Sequence, residues 1–213
     1  MSRTIGIRNA ATHLLAFLVG TAIALGAGYM RWNAKSDPFE FRRWVTMNRA
    51  AFAPSDATLL FGDSIVERAY LPTLCGRPAF NAGLSSSKAA DQLPLLDGVI
   101  VATRPRWIIV STGANDVEKG TTLAEWKPGA KRIVAAAGAR GIILGIPAAS
   151  GDAEPFNAYL RLETRAAGGT FIEPLPASFT SDGVHPHKAG YVRLAQSIEA
   201  VCGQGDQGAK TTG

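Results

Sequence analysis

A serine, an aspartate and a histidine occur in this sequence in settings that suit nucleophilic catalysis. Ser64 lies in the segment FGDSIVE, directly after an apolar run, and Asp182 and His185 lie three residues apart in SDGVHPHK. A serine hydroxyl is a weak nucleophile at neutral pH, so a base must take its proton during attack, and an imidazole with an unperturbed pKa of about 6.5 suits that role. A neighbouring carboxylate would fix the imidazole tautomer and stabilise its protonated form. The three residues therefore predict a Ser-His-Asp triad.

His185 is the candidate base among the three histidines of the chain. His13 lies in an apolar N-terminal segment, and His187 falls at the start of the last predicted helix, where a solvent-facing role is expected. Asp182, His185 and His187 could be metal ligands, but such a site would need a further ligand from another loop. We therefore expect no metal and no cofactor.

The elements that must position these residues follow from apolar runs that alternate with helical patterns after residue 56. Several runs are too apolar to leave one face in water, which is typical of a parallel sheet covered on both faces by helices. In such open α/β sandwiches, functional residues gather in the loops at the carboxyl ends of the strands. The strands are predicted at 58–61, 79–81, 107–111, 142–146 and 170–172, and the helices at 87–103, 123–139, 154–167 and 187–201.

Two further loops at that edge contain residues that could stabilise an oxyanion. Gly83 follows the second strand in NAGLSSS, and Asn115 follows the third in STGANDVE. Attack on an ester carbonyl places negative charge on its oxygen, and hydrogen-bond donors must already point at that position. The N–H groups of Ser64 and Gly83 and the amide of Asn115 are the candidates. The alternatives are a helix N-cap for Ser64, a turn glycine, and an Asn that caps a loop. Asp63 and Asp116 are expected to hold their loops by accepting backbone N–H bonds.

Taken together and in this order, these motifs resemble those of the GDSL-like, or SGNH, hydrolases. The four blocks of that family are matched across residues 58–201 by Gly62-Asp63-Ser64, Gly83, Gly113-Ala114-Asn115-Asp116 and Asp182-Gly183-Val184-His185. The resemblance implies a three-layer α/β/α sandwich with a flavodoxin-like parallel sheet of about five strands. It also implies an acyl-ester hydrolase or acyltransferase with Ser64 as the nucleophile. Ala82 departs from the family pattern, because many relatives have a larger residue there, and this could alter the floor of the acyl pocket.

Other catalytic motifs do not fit the chain. Residues 85–88 match S-x-x-K, the nucleophile motif of β-lactamases and penicillin-binding proteins, but the accompanying S-D-N and K-T-G elements are missing. The sequence contains no G-x-S-x-G elbow, no P-loop, and no G-x-G-x-x-G after a strand. We therefore treat the S-x-x-K match as coincidental.

The charge distribution does not suit nucleic-acid binding. The formal net charge is +5, but residues 1–56 carry seven Lys and Arg against three Asp and Glu, so the rest of the chain is nearly neutral. A nucleic-acid partner would favour a basic stripe with interleaved aromatic residues on the folded body, and no such stripe follows residue 56. The expected partner is a small acyl ester or an acylated saccharide.

The N-terminal region predicts a connection to a membrane. Residues 10–30 contain no Asp, Glu, Lys or Arg, and 21 residues rising 1.5 Å each reach roughly 31 Å, about the thickness of a bilayer core. We expect residues 1–35 to be a retained signal anchor, with the catalytic domain on the periplasmic or extracellular side. The alternative is a cleaved signal peptide and a secreted protein, because small residues that suit cleavage lie within the run.

The rest of the chain divides by its pattern. Residues 36–56 are expected to form a linker helix that packs on the domain edge or contacts anionic lipid. The hydrolase domain is predicted at 57–203 and a flexible tail at 204–213. Cys75 and Cys202 are too few for a disulfide framework. They could pair in an exported domain or remain buried free thiols.

Three functions fit these features. The preferred one is a serine esterase that removes a small acyl group, such as an O-acetyl on a cell-envelope saccharide. The alternative is an acyltransferase in which a saccharide hydroxyl replaces water in the second step. A non-catalytic binding domain is disfavoured because all four motif blocks are intact.

Overall fold

The computed structural model describes residues 17–26 and 37–210, with side chains as far as residue 203. The chain divides into one unit of residues 1–40 and another of residues 41–213. Residues 17–26 of the first unit are helical (α1). The other residues of the predicted signal anchor lie outside the described part of the chain.

No helix within the described residues combines the length and the apolar character needed to cross a membrane. The large apolar side chains of α1 are nevertheless exposed, with Phe17 and Leu25 both 70% accessible. Residues 10–16 and 27–30 of the predicted span lie outside the described residues. The membrane anchor and its orientation therefore stay predictions.

The second unit is built on a six-stranded sheet. Its neighbouring strands run parallel, except for an antiparallel pair at one edge formed by the second and third strands. The spatial order is β2-β3-β1-β4-β5-β6. The strands are β1 (Thr58–Gly62), β2 (Thr73–Leu74), β3 (Arg77–Gly83), β4 (Trp107–Ser111), β5 (Gly141–Leu144) and β6 (Thr170–Ile172).

Helices cover both faces of this sheet. On one face α4, α6 and α7 pack side by side, and on the other, Val66 of α3 and Leu194 of α8 pack with the strand residues Leu60 and Ile109. The predicted α/β/α sandwich is thereby confirmed. The helices are α2 (Glu40–Ala50), α3 (Ser64–Glu67), α4 (Ala89–Thr103), α5 (Ala114–Glu118), α6 (Leu123–Ala137), α7 (Glu154–Ala166) and α8 (Lys188–Lys210).

The structure differs from the predicted elements in several places, among them β2, the short helix α5 and the end of α8. Strand β2 was not predicted, because two residues that pair antiparallel at the sheet edge leave no apolar run to detect. Helix α8 runs on to Lys210, past the predicted end near residue 201. The glycines in this stretch do not end it, since each weakens a helix by only about 1 kcal/mol and no proline interrupts the stretch.

Helix α2 lies against α4. The guanidinium of Arg43 donates to the carbonyl oxygen of Asp91 at 3.1 Å, and the end of the Met47 side chain approaches Gly98, where a Cβ would lie 2.9 Å from it. The part of the predicted linker that forms α2 therefore packs on α4.

A disulfide joins Cys75 and Cys202, whose Cα atoms are 5.5 Å apart although 127 residues separate them in sequence. Cys75 lies in the turn between β2 and β3, and Cys202 lies in α8. The sequence left open whether these cysteines pair or remain free thiols, and the structure shows that they pair. It ties the region that follows Ser64 to the helix that follows His185.

Candidate active site

Ser64 is the first residue of α3, directly after β1. The backbone turns sharply at Gly62, which has a φ of +136° and where a Cβ would lie 1.7 Å from the carbonyl oxygen of Ser111 on β4. Only glycine fits this position. Asp63 is the N-cap of α3, because its Oδ1 accepts the N–H of Ile65 at 3.0 Å. The N-cap role considered for Ser64 is thus taken by Asp63, and the Ser64 hydroxyl is left for other contacts.

The structure brings together the three residues of the predicted triad. Ser64 Oγ lies 2.8 Å from His185 Nε2, although 121 residues separate them in sequence. His185 Nδ1 lies 2.6 Å from Asp182 Oδ2. An acceptor carboxylate at Nδ1 places the imidazole proton on that nitrogen, so Nε2 is free to accept the serine proton.

Asp182 is held as an anion by its own loop. Its Oδ1 accepts the N–H groups of His185 at 2.7 Å and Val184 at 2.9 Å. These bonds and the one to the imidazole keep the pKa of Asp182 well below its usual range. An ionised Asp182 can stabilise the imidazolium that forms when Ser64 gives up its proton.

The loop that contains Asp182 and His185 is closed by backbone contacts. Thr180 and Pro186 form an isolated antiparallel bridge, and the N–H of Ser181 donates to the carbonyl of His185 at 2.8 Å. His187 belongs to the support of this loop: its Nε2 lies 3.0 Å from the carbonyl oxygen of Ser178, and its Nδ1 accepts the N–H of Gly190. Its contacts are therefore structural.

Helix α8 also contacts Ile65, the residue that follows Ser64. The Tyr191 hydroxyl donates to the carbonyl of Ile65 at 2.9 Å. Burial raises the pKa of Tyr191 to about 12, so the hydroxyl keeps its proton and remains a donor. The helix that begins just after His185 is thereby joined to the helix that begins at Ser64.

The candidate oxyanion residues follow the strands on either side of β1. Gly62 is the register partner of Gly83 on β3 and of Ser111 on β4. Neighbouring strands lie about 4.8 Å apart. Ser64, Gly83 and Asn115 therefore follow three adjacent strands at one edge of the sheet. The N–H of Ser64 is one of the unsatisfied donors at the start of a helix.

The N–H of Gly83 is already used. It donates to Asn81 Oδ1 at 3.0 Å, so it can serve an oxyanion only if that bond opens or is shared. Gly83 also has a packing role, because a Cβ there would lie 2.4 Å from the backbone nitrogen of Glu67. The turn-glycine alternative thus has a structural observation in its favour, and the oxyanion role of Gly83 stays a prediction.

Asn115 is better placed to donate. It is the second residue of α5, it is only 8% exposed, and its side chain makes no hydrogen bond to any residue that the structure describes. A side chain that capped its loop would show such a bond. The amide is therefore free to donate to a substrate.

The two remaining acidic residues of these motifs hold loops. Asp116 Oδ2 accepts the N–H of Ala89 at 2.9 Å and so joins α5 to the start of α4. Asp63 is completely buried, and its Oδ1 also accepts from the Ser111 hydroxyl at 2.9 Å. Burial raises the pKa of Asp63 to about 6, and its Oδ2 has no partner among the described residues.

Sequence reasoning did not find three residues that support the site. The Ser111 hydroxyl donates to Asp63, and the side-chain oxygen of Asn81 accepts the N–H of Gly83. The Glu67 carboxylate accepts the N–H of Ser85 in the loop after β3. Glu67 and Asn81 do lie beside motif residues, within GDSIVE and NAG. That proximity was the only available signal, because their partners are set by side-chain conformation.

A groove of about 590 Å³ has Gly83, Asn81 and Glu67 in its lining. A hollow of about 20 Å³ has Ile65, Val184 and Pro186 in its lining and holds about one water molecule. A much larger groove of about 870 Å³ runs along α8, with Tyr70 and Val192 in its lining.

No group of three or more His, Cys, Asp or Glu side chains in the described ranges 17–26 and 37–203 could hold a metal ion. A serine, an imidazole and an ionised carboxylate in hydrogen-bonded series can carry out acyl transfer.

Solved structures with this fold include GDSL-like lipases and acylhydrolases. A GDSL-like lipase from Bacteroides thetaiotaomicron superposes with a TM-score of 0.65 at 20% identity, over 78% of this chain and 98% of that one. A lipase/acylhydrolase from Enterococcus faecalis gives 0.57 at 19% identity, over 70% and 96%. A catalytic mutant of an acetylxylan esterase from Geobacillus stearothermophilus gives 0.54 at 17% identity, over 70% and 95%.

The fold is therefore that of the GDSL-like hydrolases, as the sequence motifs predicted. No protein-family model matches the chain, and no curated protein matches it in a search. At these identities the likeness establishes the fold, and the function must be argued from the site.

Proposed function

We propose that the protein is a serine esterase that cleaves an acyl ester through a covalent acyl-enzyme. The observation that carries the proposal is the series of contacts from Ser64 Oγ to His185 Nε2 at 2.8 Å and from His185 Nδ1 to Asp182 at 2.6 Å. The fold shared with lipases, acylhydrolases and an acetylxylan esterase supports it.

In the first half of the reaction, Ser64 Oγ attacks the ester carbonyl while His185 Nε2 takes its proton. The N–H of Ser64 and the amide of Asn115 donate to the oxyanion, and Gly83 can add a third donor if its bond to Asn81 opens. The imidazolium then protonates the leaving alcohol as the ester bond breaks. Water attacks the acyl-enzyme in the second half, with His185 again as the base, and releases the acid and the free serine.

A short acyl group is the substrate class that we propose. The specific candidate is an acetyl ester, such as an O-acetyl on a saccharide. An acetylxylan esterase among the structures with this fold is consistent with that choice.

Export of the domain fits the same proposal. Disulfides persist in oxidising compartments and are rare in the cytosol, so the bond between Cys75 and Cys202 supports a periplasmic or extracellular catalytic domain. The apolar run at residues 10–30 would supply the anchor or the signal. A reporter fused after residue 213 should be active outside the cytoplasm, and cytoplasmic activity would contradict the orientation.

The test is a panel of nitrophenyl esters from acetyl to palmitoyl, assayed with the protein and with Ser64→Ala. We expect the acetyl ester to be cleaved fastest and Ser64→Ala to be inactive with an unchanged thermal midpoint. Full activity in the variant would exclude Ser64 as nucleophile, and a preference for palmitoyl would move the acyl chain to the groove along α8. Repeating the assay with a saccharide acceptor distinguishes hydrolysis from acyl transfer.

A further inference from the structure

Glu67 is the last residue of α3 and contacts the loop between β3 and α4, which we define as residues 84–88. Its Oε2 accepts the N–H of Ser85 at 3.0 Å and also the Ser85 hydroxyl. The carboxylate therefore holds both donors of one loop residue. None of these contacts is part of the triad or of the three candidate oxyanion donors.

Arg42 of α2 completes the cluster. Its Nη2 donates to Glu67 Oε1, and its Nη1 donates to the carbonyl oxygen of Ser85 at 3.0 Å. Every polar group of Ser85 is thus bonded within this cluster of three residues. The Arg42 and Glu67 side chains are 36% and 34% exposed, so the ion pair is partly shielded from water and is screened less than a fully exposed one.

The cluster lies between the nucleophile and the loop. Glu67 is three residues after Ser64, and its N–H donates to the carbonyl of Asp63 at 3.0 Å. The backbone of Glu67 also lies directly against Gly83, where a Cβ would be 2.4 Å from the Glu67 nitrogen. Any shift of Glu67 would therefore move the start of the loop relative to Ser64.

The other side of the loop is joined to the helix that contains Asn115. Lys119 Nζ donates to the carbonyl of Ser86 at 2.6 Å, and Asp116 accepts the N–H of Ala89. The loop is thus held from the nucleophile side by Glu67 and from the Asn115 side by the residues that follow Asn115. The loop starts directly after Gly83 and contacts both the helix that begins at Ser64 and the residue that follows the helix of Asn115.

We propose that Glu67 is a positioning residue for the oxyanion site and that Arg42 makes helix α2 part of the catalytic unit. This rests on the proposed esterase function, in which the edge formed by Ser64, Gly83 and Asn115 binds the oxyanion. Without the Glu67 carboxylate, Ser85 loses two acceptor contacts and the loop can move away from α3. A misplacement of about 1 Å can cost on the order of 10² in rate.

The test compares Glu67→Ala with Glu67→Gln on the full chain, using nitrophenyl acetate. The alanine should lower kcat by roughly 10- to 100-fold with KM within about threefold, because the donors act on the transition state and bind the substrate weakly. Glutamine keeps an acceptor for Ser85 and should restore kcat to within about fivefold of the wild type. A kcat of Glu67→Ala within twofold of the wild type, or no rescue by glutamine, would overturn the proposal.

The matched control is Asp97→Ala. Asp97 forms an exposed ion pair with Arg132 at 2.7 Å, on the outer surface of α4 and α6. Its loss should leave kcat unchanged, while its thermal midpoint shows what the loss of an ion pair alone does. Equal kcat losses in Asp97→Ala and Glu67→Ala would assign the effect to general destabilisation and contradict a positioning role.

Arg42→Gln tests the contribution of α2 and stays informative if Glu67→Ala folds poorly. It should lower kcat by about three- to tenfold. Its loss should be less than additive with that of Glu67→Gln, because both changes break the same ion pair and only Arg42→Gln also removes the bond to the Ser85 carbonyl. An unchanged kcat would overturn the part assigned to α2. Loss of activity in Ser64→Ala combined with full activity in the Glu67 and Arg42 variants would reject this inference alone, whereas full activity in Ser64→Ala would reject the esterase itself.

Discussion

Asp63 precedes Ser64 by one residue, Asp182 precedes His185 by three, and the two carboxylates have opposite surroundings. Asp63 is completely buried, and only its Oδ1 has partners among the described residues. The Asp182 side chain is 53% exposed, and both of its oxygens accept hydrogen bonds. Burial raises the pKa of Asp63 to about 6, whereas the hydrogen bonds of Asp182 lower its pKa.

This difference in surroundings corresponds to two different roles for a carboxylate. A carboxylate that supports an imidazolium must stay ionised, and Asp182 does so because donors surround it and water reaches it. A carboxylate that caps a helix and bonds a neighbouring strand needs only an acceptor oxygen. Asp63 supplies that oxygen to Ile65 and Ser111, and its desolvation penalty is the consequence of burial under the nucleophile turn.

The two loops are built as differently as their aspartates. The turn that contains Ser64 is part of the buried sheet edge, fixed by Gly62 and by contacts with β4. The loop with His185 lies at the surface and is held by its own backbone bonds, while α8, which follows it, is joined to the rest of the domain by Tyr191 and the disulfide. Substitutions in the two loops should therefore affect activity and stability differently.

The largest effect is expected from Asp182→Asn. The amide oxygen can still accept from Val184 and His185, so the loop should keep its shape, but an N–H would face His185 Nδ1 and impose the wrong tautomer. We expect kcat to fall by about 10⁴, with a thermal midpoint close to that of the wild type. The measurement is steady-state hydrolysis of a short ester together with thermal unfolding.

The comparison variant is Asp63→Asn, which should lower kcat far less because Asp63 does not contact the imidazole. Similar kcat losses in the two variants would remove the distinction between a catalytic and a structural aspartate. A loss of less than tenfold in Asp182→Asn would assign the support of His185 to another group.

The next largest effect is expected from loss of the disulfide, which joins the region after Ser64 to the helix after His185. Replacing Cys75 and Cys202 together with serine removes a cross-link across 127 residues, which chain entropy alone values at roughly 5 kcal/mol, and measured losses are typically about 2 to 5 kcal/mol. We expect the free energy of unfolding to fall within that range while kcat below the unfolding transition stays within about threefold. Denaturant unfolding checks this.

Reduction of the wild-type protein provides the control for the serine variant. Dithiothreitol should destabilise the wild type to the level of the double variant and leave the double variant unchanged. A free energy of unfolding within about 1 kcal/mol of the wild type in the double variant would show that Tyr191 and the packing of α8 hold the two regions together without the disulfide.

Asn115→Ala should have a smaller effect on the rate than Asp182→Asn. Removal of one oxyanion donor typically lowers kcat by about 10² to 10³, and KM should change little because the ground-state carbonyl is weakly bound there. A loop-capping Asn would instead cost about 1 kcal/mol of stability and leave kcat nearly intact. Kinetics and thermal unfolding of the same preparation separate the two roles.

Asn48→Ala is the matched control, since Asn48 is exposed on α2 and bonds only the carbonyl of Trp44 one turn earlier. It should leave kcat unchanged. An Asn115→Ala protein with kcat within about threefold of the wild type would exclude the oxyanion role.

Much of the arrangement could be predicted because it follows from the chain itself. The apolar runs of β1 and β4 and the glycine before Asp63 place Ser64 and Asn115 at one sheet edge, since parallel strands end at the same side. The pairing of Asp182 and His185 follows from their closeness in sequence. Their meeting with Ser64 was inferred from the order of the loops, and the structure shows it.

The rest depends on distances and side-chain conformations that no pattern encodes. The N–H of Gly83 is taken by the rotamer of Asn81, and the contact of Glu67 with Ser85 joins two loops that are polar and lack periodicity. The disulfide joins Cys75 and Cys202, which are 127 residues apart in sequence, and no local pattern shows that they lie close together. The domain bounds 57–203 and the tail at 204–213 stay predictions.

The smallest expected effect is the contribution of Asp63 to the pH dependence of the free energy of unfolding. Burial raises the pKa of Asp63 in the folded protein to about 6, against an ordinary value of 3.8. A pKa raised on folding means that the folded protein binds the proton more tightly. The stability contribution of this group is thus fully present below about pH 3.8 and is lost as the pH rises through 6. At pH 8 the ionised, buried carboxylate should cost roughly 3 kcal/mol relative to low pH.

Asp63→Asn removes that dependence, because asparagine stays neutral and its oxygen can still accept from Ile65 and Ser111. The new amide donor in the variant would lack a partner, which costs the same stability at every pH. The test is therefore the change of the free energy of unfolding with pH and not its absolute value. Between pH 5 and pH 8 the free energy of unfolding of the variant should improve relative to the wild type by roughly 1 to 2 kcal/mol. Asp182 is present in both proteins, and its lowered pKa acts at more acidic pH, so it cancels from the difference. Denaturant unfolding at several pH values measures this. Parallel curves for the two proteins would show that burial does not raise the pKa of Asp63, and the contrast between the two aspartates would then rest on Asp182 alone.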